Sequence, residues 1–303
     1  MDMAKTILVS GATGTVGSEV VKQLCQLNNN FNIRAAIHSQ NNKVDNLKRI
    51  IDNHERIELV NFDYNEPTSV QKAVDKVDKI FLLTIPSPNS SDIVSNLVKE
   101  AKKKSVKHIV KLSVFNADAQ PGYAMGRLHR QEEKIIEESQ ISYTFLRPTT
   151  FMQNFVTYFG YTIKNQNMFY FHGGDVQINF VDARDIGTVA AKILLFDGDT
   201  DIYSNKAFNV TGQDILSYYQ TAEILSKEMG RKVSYVDVSE DDTRNGMKQG
   251  GMSDWLIDII IDSLNYIIRG EYGHQTSNVV EQVTGQKPRS FDQFVKDCSR
   301  YFS

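Results

Sequence analysis

Cysteine is scarce in this chain of 303 residues: Cys25 and Cys298 are the only two. Two thiols cannot build a disulfide framework, and neither lies in a Cys-x-x-Cys pair, so an ordinary hydrophobic core must hold the fold in a reducing compartment. The address expected is the cytoplasm, with the nucleus as a second compartment. The six histidines have no paired ligand spacing, which argues against a metal centre. A surplus of positive charge is also missing. A net charge of -3 offers no field to a polyanion, so direct nucleic-acid binding is not expected. The basic cluster Lys102, Lys103, Lys104 and Lys107 reads as the solvated end of a surface helix. Long apolar runs are absent too. The most apolar late stretch, WLIDIIIDSLNYII from Trp255, is interrupted by Asp258 and Asp262, too short to span a bilayer, and reads as a buried or partner-facing helix. Within it, Trp255, Ile259, Ile260 and Leu264 form a mixed stripe suited to packing. A strand pattern already under way at Thr6 is read as leaving no room for a signal peptide.

What the chain does have is a succession of short Val-, Ile- and Phe-rich runs: KTILVSG at 5, NIRAAIH at 32, IELVNFD at 57, KIFLLTI at 79, HIVKLSV at 108 and SYTFLRP at 142. Stretches of helical periodicity separate them, such as Val20, Val21, Leu24, Leu27 and Ile93, Leu97, Val98, Ala101. Strands alternating with helices in this way specify an α/β fold with a doubly wound parallel sheet. The sequence reading assigns 1–154 to this Rossmann domain, completed by strands within about 179–212 such as AFNVT at 207. It assigns 155–178 and 213–303 to a smaller C-terminal lobe serving substrate or partner.

The stretch SGATGTVGSEV from Ser10 follows the first strand and opens a helix. Its glycines, Gly11, Gly14 and Gly17, suit a tight turn, close approach of a pyrophosphate and close packing of the helix on the sheet. The unpaired amides of the helix start would then face the phosphates, with Thr13, Thr15 and Val16 as the neighbouring donors. A nicotinamide dinucleotide is therefore the expected ligand. At the end of the second strand, where an acid would accept from a ribose diol and repel a 2'-phosphate, the chain reads Ile37, His38, Ser39, and no acid follows until Asp45. This favours NADP over NAD, with His38, Ser39 and Lys43 as candidate phosphate partners. Arg34 lies four strand residues earlier, roughly 13 Å away at about 3.3 Å per residue, and is too distant.

The spacing G-x-x-G-x-x-G, with FDYNEP at Phe62, HRQEEKIIEESQISYTFLRP from His129, NFVDARDIG from Asn179 and PRSFDQFVKD from Pro288, resembles the NmrA-like family of atypical short-chain dehydrogenase/reductases. The likeness spans nearly the whole chain. It implies a Rossmann domain binding NADP or NAD and a C-terminal lobe framing a cleft. By position it implies that Asp63 and Tyr64 approach the adenine, that Thr84, Ile85 and Pro86 line the ribose and nicotinamide side, and that Pro148, Thr149 and Phe151 shape the nicotinamide pocket. Many members carry Arg where this chain has His38.

Many reductases of the wider superfamily use a Tyr-x-x-x-Lys pair, in which tyrosine donates a proton that lysine helps to release. No such pair occurs here; Met125 and His129 fall in its two slots. Tyr123 and Arg127 have the right interval but lie two residues earlier, about 200° around a helix of 3.6 residues per turn, and would point away. His129 matches a histidine common in the family's reductases; it would hydrogen-bond the ribose or supply a proton, with Glu133 one turn on to orient it or to lie at the surface. Asp182 and Asp185, flanking Arg184 at a helix start, read as structural acids. Two functions remain open. The favoured one is a redox-sensing regulator that binds NAD(P)(H) and acts through a protein partner in transcriptional or developmental control. The alternative is an NAD(P)H-dependent reductase of quinones or similar conjugated electrophiles.

Overall fold

The computed structural model describes residues 4–27, 30–38, 42–51, 54–198, 202–270, 273 and 275–303. Strands β1 (Thr6–Val9), β2 (Asn32–Ile37), β3 (Ile57–Asn61), β4 (Lys79–Leu82), β5 (His108–Leu112) and β6 (Ser142–Pro148) alternate with helices α1 (Thr15–Gln26), α2 (Asn42–Ile50), α3 (Pro67–Ala73), α4 (Ser90–Lys103) and α5 (Ala124–Glu138). The later chain adds β7 (Thr150–Phe151), α6 (Asn154–Thr157), α7 (Gly160–Gln166), β8 (Met168–Phe171), β9 (Ile178–Val181), α8 (Ala183–Leu195) and β10 (Lys206–Val210). It ends with β11 (Ile215–Leu216), α9 (Tyr218–Met229), β12 (Ser234–Asp237), α10 (Glu240–Gln249), α11 (Asp254–Ile268), α12 (Val279–Thr284) and α13 (Phe291–Asp297).

Two compact units result. The first comprises 1–114, 128–147 and 183–209, the second 115–127, 148–182 and 210–303. Segments 115–127, 148–154, 179–182 and 210–212, read from sequence as part of the dinucleotide domain, thus group with the second unit.

The first unit is built on a seven-stranded sheet of order β10-β6-β5-β4-β1-β2-β3. Strands β1 to β6 pair in parallel. Read from β3, the order 3-2-1-4-5-6 is that of a Rossmann sheet, with its reversal between β1 and β4. Strands buried on both faces explain the unbroken apolar runs: β4 is buried throughout, and Ile7, Leu8, Val9, Ile109 and Val110 are inaccessible. One face of α4 (Val94, Leu97, Val98, Ala101) closes over Leu8, Ile80 and Phe145; Val94, not Ile93, occupies its inner edge.

Two cations hold helix ends against this sheet. Lys79, buried at the start of β4, donates to the carbonyls of Leu194 (2.9 Å) and Phe196 (2.6 Å) at the end of α8. Arg34 in β2 donates to the carbonyls of Ala73 (2.7 Å) and Asp75 (2.8 Å) just after α3, and pairs with Glu58. Both satisfy carbonyls that a helix leaves unpaired.

The second unit has an aromatic core. Phe155 meets Phe159, Phe169, Phe180 and Phe291 edge-on at 4.8–5.6 Å, a geometry that suits the ring quadrupoles. In α11 the buried residues are Ile257, Ile261, Leu264 and Tyr266. Trp255, Ile259 and Ile260 are only half-buried, so of the stripe expected from sequence Leu264 alone faces inward.

The turn from β1 into α1 depends on missing side chains. Gly11 takes φ +62°, and a Cβ on Gly17 would stand 2.1 Å from the Gly11 carbonyl oxygen. Gly17 is therefore required by the loop's own backbone rather than by the sheet. We expect Gly17→Ala to lower the free energy of unfolding by about 2–3 kcal/mol, as overpacking of a closed site does. Gly14→Ala, whose Cβ would lie 3.2 Å from the same oxygen, should cost less than about 1 kcal/mol; equal losses in urea titration would refute this account.

A second expectation concerns acid. His108 places Nδ1 2.9 Å from Ser142 Oγ and Nε2 2.9 Å from Thr144 Oγ1. Burial, aided by the charge of Lys79, lowers its pKa from 6.5 to about 4. The unfolded chain takes up a proton at the higher value and the folded chain only at the lower. Stability from the neutral ring is therefore whole above about pH 6.5 and lost as pH falls toward 4. The gap in unfolding free energy between wild type and His108→Gln should narrow by about 2 kcal/mol from pH 7 to pH 5. A constant gap would contradict it.

Candidate functional site

Within the first unit, the carboxyl ends of β1 to β5 and the middle of α5 gather most of the residues singled out from sequence. A sheet whose order reverses between β1 and β4 leaves its ligand crevice there. Ser10 ties the two strands together: its hydroxyl accepts from Leu83 N (2.8 Å) and donates to Phe81 O (3.1 Å). The loop that follows is short. Ser18 N makes the first helical hydrogen bond, to Gly14 O at 3.0 Å. The amides of Thr15, Val16 and Gly17 precede that bond, and among the described residues no side chain caps the helix. Thr13 and Gly14 are half-buried and Thr15 is exposed.

At the end of β2, His38 is exposed, with Nδ1 3.8 Å from Asp63 Oδ2 at the end of β3. Ser39 lies outside the described residues. Lys43 falls in the first turn of α2, with its side chain outside the described set. The Tyr64 hydroxyl donates to Leu83 O (2.7 Å), and its ring meets Phe62 edge-on at 4.6 Å. Burial pushes its pKa well above the usual phenol range. Its polar end is thus engaged with the end of β4. After β4, Ile85 is 75% exposed, whereas the Thr84 hydroxyl turns inward.

That hydroxyl belongs to a buried cluster the sequence reading did not anticipate. Lys111, in β5, is inaccessible; its Nζ pairs with Glu132 Oε2 at 2.6 Å and donates to Leu112 O at 3.2 Å. Thr84 Oγ1 donates to the same Glu132 oxygen (2.9 Å) and lies 3.4 Å from Lys111 Nζ. His129 completes the group, with Nδ1 3.4 Å from Lys111 Nζ and 3.6 Å from Glu132 Oε2. Burial pushes Glu132 up, but Lys111, His129 and Thr84 together hold it below the usual carboxylate range. Its other oxygen, Oε1, is buried with no partner among the described residues.

His129 itself is driven the other way. Burial first, and the charge of Lys111 second, push its pKa down to about 3, against the pull of Glu132. The expected proton poised near neutrality is therefore not held on this ring, because the ring is enclosed beside a cation. Glu133 likewise differs from expectation: it neither orients His129 nor lies at the surface. It is wholly buried and accepts from Arg147 Nε (2.9 Å) and Nη2 (2.7 Å), Ser113 Oγ (2.7 Å) and Arg130 Nη1 (3.1 Å). Glu132, one residue earlier, faces the histidine. A lysine inside the apolar run of β5 was the available signal, since a cation there requires a buried partner.

Of the remaining candidates, Tyr123 is buried and donates to Phe115 O (2.6 Å), and exposed Arg127 donates to Gly122 O (2.6 Å). Met125 is half-buried in α5. Pro148, Thr149 and Phe151 belong to the second unit. There Pro148 ends β6, Thr149 Oγ1 donates to Asn179 Oδ1 (2.8 Å), and Phe151 lies half-buried in β7. Asp182 is buried immediately before α8 and Asp185 in its first turn. Among the described residues no His, Cys, Asp and Glu cluster could hold a metal, and no helix is long and apolar enough to cross a membrane.

Comparison with known proteins extends these observations. The chain is 31% identical to the NAD(P)H azoreductase of Xenophilus azovorans, over 96% of both chains. It is 28% identical to the Prestalk A differentiation protein A of Dictyostelium discoideum, over 96% of this chain and 92% of that one. Its fold is similar to that of the Escherichia coli NADPH-dependent quinone oxidoreductase solved with NADPH, at TM-score 0.81, covering 97% of this chain and 99% of that one at 24% identity. The model of the NmrA-like family matches residues 3–295. With the glycine loop, the Rossmann strand order and this match agreeing over nearly its whole length, the chain belongs to the NmrA-like family.

Proposed function

We propose that this protein is an NAD(P)H-dependent reductase of conjugated acceptors such as quinones and azo compounds, with NADPH the preferred donor. The observation that carries the reading is the end-to-end likeness to an NAD(P)H azoreductase in a chain that keeps the phosphate loop and lacks the Tyr-x-x-x-Lys pair. A bound NAD(P)H would supply the hydride. The residues present fit such a ligand: uncapped amides open α1, and side chains are missing at Gly11 and Gly14, where a diphosphate would come close. Thr13, Gly14, Thr15 and Val16 would hold the diphosphate. His38, with Ser39 and Lys43 nearby in sequence, would meet a 2'-phosphate, and Asp63 would approach the adenine. Thr84, Ile85 and Pro86 would line the ribose and nicotinamide side.

The missing tyrosine is compatible with this chemistry. A quinone spreads the incoming electron pair over its ring and takes its proton from water, so a hydrogen-bond donor suffices where an isolated ketone needs an acid.

A second reading has its own support. Met125 in the tyrosine slot and the likeness to a differentiation protein favour a redox-sensing regulator that binds the same dinucleotide and passes its state to a protein partner.

Calorimetric titration with NADPH, NADP, NADH and NAD, followed by turnover of a quinone and an azo dye with the best binder, separates the two. We expect NADPH to bind about tenfold or more tightly than NADH, His38→Ala to shrink that ratio several-fold, and both acceptors to be reduced. Tight binding with acceptor reduction at background would transfer support to the regulator. No binding at millimolar nucleotide would sink both.

A further inference from the structure

We propose that Lys111 is a positioning residue: with Glu132 it fixes His129 as a neutral ring carrying its hydrogen on Nε2, so that this position presents a permanent N–H donor rather than a titrating acid. An ammonium group has three N–H donors and no acceptor. Glu132 Oε2 and Leu112 O take two of the Lys111 hydrogens, and the third lies between Thr84 Oγ1 and His129 Nδ1, each 3.4 Å from Nζ. Because Thr84 already donates to Glu132, the geometry points to Nδ1 as an accepting nitrogen, since a hydrogen there would point donor against donor. Glu132 Oε2, 3.6 Å from Nδ1, could draw a hydrogen onto it. That oxygen is already taken by Lys111 at 2.6 Å and Thr84 at 2.9 Å, both nearer. In a neutral imidazole whose Nδ1 accepts, the hydrogen resides on Nε2.

Enclosure keeps the arrangement single. The side chains of Lys111, Glu132 and His129 are 0%, 1% and 8% exposed. Charged and titratable groups reach the ring from two elements: Lys111 from β5 and Glu132 from its own helix, α5. Tyr64, beyond the end of β3, acts on Glu132 but gives its hydroxyl hydrogen to Leu83 O. A second proton on the ring would set an imidazolium beside an ammonium with one carboxylate between them, and the low pKa of His129 follows from that crowding and from burial.

The ring nitrogen turned away from Lys111 is then a donor at every physiological pH. Under the reductase reading, on which this last step alone rests, it would give a hydrogen bond to a ribose hydroxyl or to an acceptor oxygen that gains charge, without surrendering its hydrogen.

The test is spectroscopic and uses the free protein. Long-range proton–nitrogen correlation spectra of ring-15N-histidine protein, with His129 assigned by its loss in His129→Asn, should give one pyrrole-type signal at Nε2 and one pyridine-type signal at Nδ1, unchanged from pH 5 to 8. A hydrogen on Nδ1, or a titration midpoint inside that range, would overturn the proposal. The paired variant Lys111→Met with Glu132→Gln removes both charges together and strands neither ion. If it folds, the Nε2–H population should fall from above 95% toward a mixture, with the ring beginning to titrate; an unchanged single tautomer would remove Lys111 from the role. Should the variant not fold, the wild-type spectrum still decides the tautomer and the titration. Neither readout involves nucleotide or acceptor, so this proposal and the reductase reading fail separately.

Discussion

The closure of the β1–α1 turn on its own carbonyl is the constraint from which the site follows. With 2.1 Å between the Gly11 oxygen and the place a Gly17 Cβ would occupy, the first turn of α1 lies directly against the end of β1. That leaves three helix-start amides without a partner or a capping side chain among the described residues. A helix end of this kind is normally satisfied by a cap, by water or by a ligand. Ser10, just after β1, bonds Leu83 N and Phe81 O, so the chain leaving β4 is tied to the start of the same turn.

The second organising feature is the handling of charge in the first unit. Adjacent glutamates on α5 serve different strands: Glu132 is held by Lys111 of β5, Glu133 by Arg147 of β6. Successive helix residues are about 100° apart, so a neighbouring pair can reach two strands that no single residue could span. Such pairs are weak grounds for stability, since well-packed apolar groups often do as well. Removing one partner, by contrast, costs about 3–5 kcal/mol. Their effect is geometric: α5 can take only one rotation about its axis that leaves neither carboxylate unpaired, and that rotation presents His129 to Lys111.

Much of the first unit was legible in the sequence for a physical reason. Parallel strands buried on both faces read as unbroken apolar runs, and each of the six runs before Pro148 contains a strand at its expected place. The glycine triplet was legible because its spacing and its strand-to-helix context agree. The buried cluster was not. Lys111 inside IVKL signals that a buried partner is needed, but nothing local says that the partner lies 21 positions later. Glu132 and Glu133 look alike in sequence; which faces the histidine depends on Arg147 drawing the other away. The two-residue strands β7 and β11 have no periodicity to detect, and the aromatic core of the second unit joins residues from Phe155 to Phe291. Its pattern exists only in three dimensions.

A chain with methionine in the proton-donor slot therefore cannot be judged inactive on that ground. A tyrosine–lysine pair answers a specific problem: an isolated carbonyl that accepts hydride becomes a strongly basic oxygen, which must be protonated as it forms. A quinone ends as a weakly basic phenolate, and for such an acceptor a fixed donor that stabilises developing charge does the useful part of the work. A neutral imidazole held by a buried lysine is suited to that second task and unsuited to the first. An acid that must give up its proton needs a pKa near the working pH, and the enclosure around His129 drives the ring away from it. Under the proposed reductase reading, the burial that disqualifies this histidine as an acid would keep it a donor, and selectivity would rest on the acceptor's own electronics rather than on a proton relay.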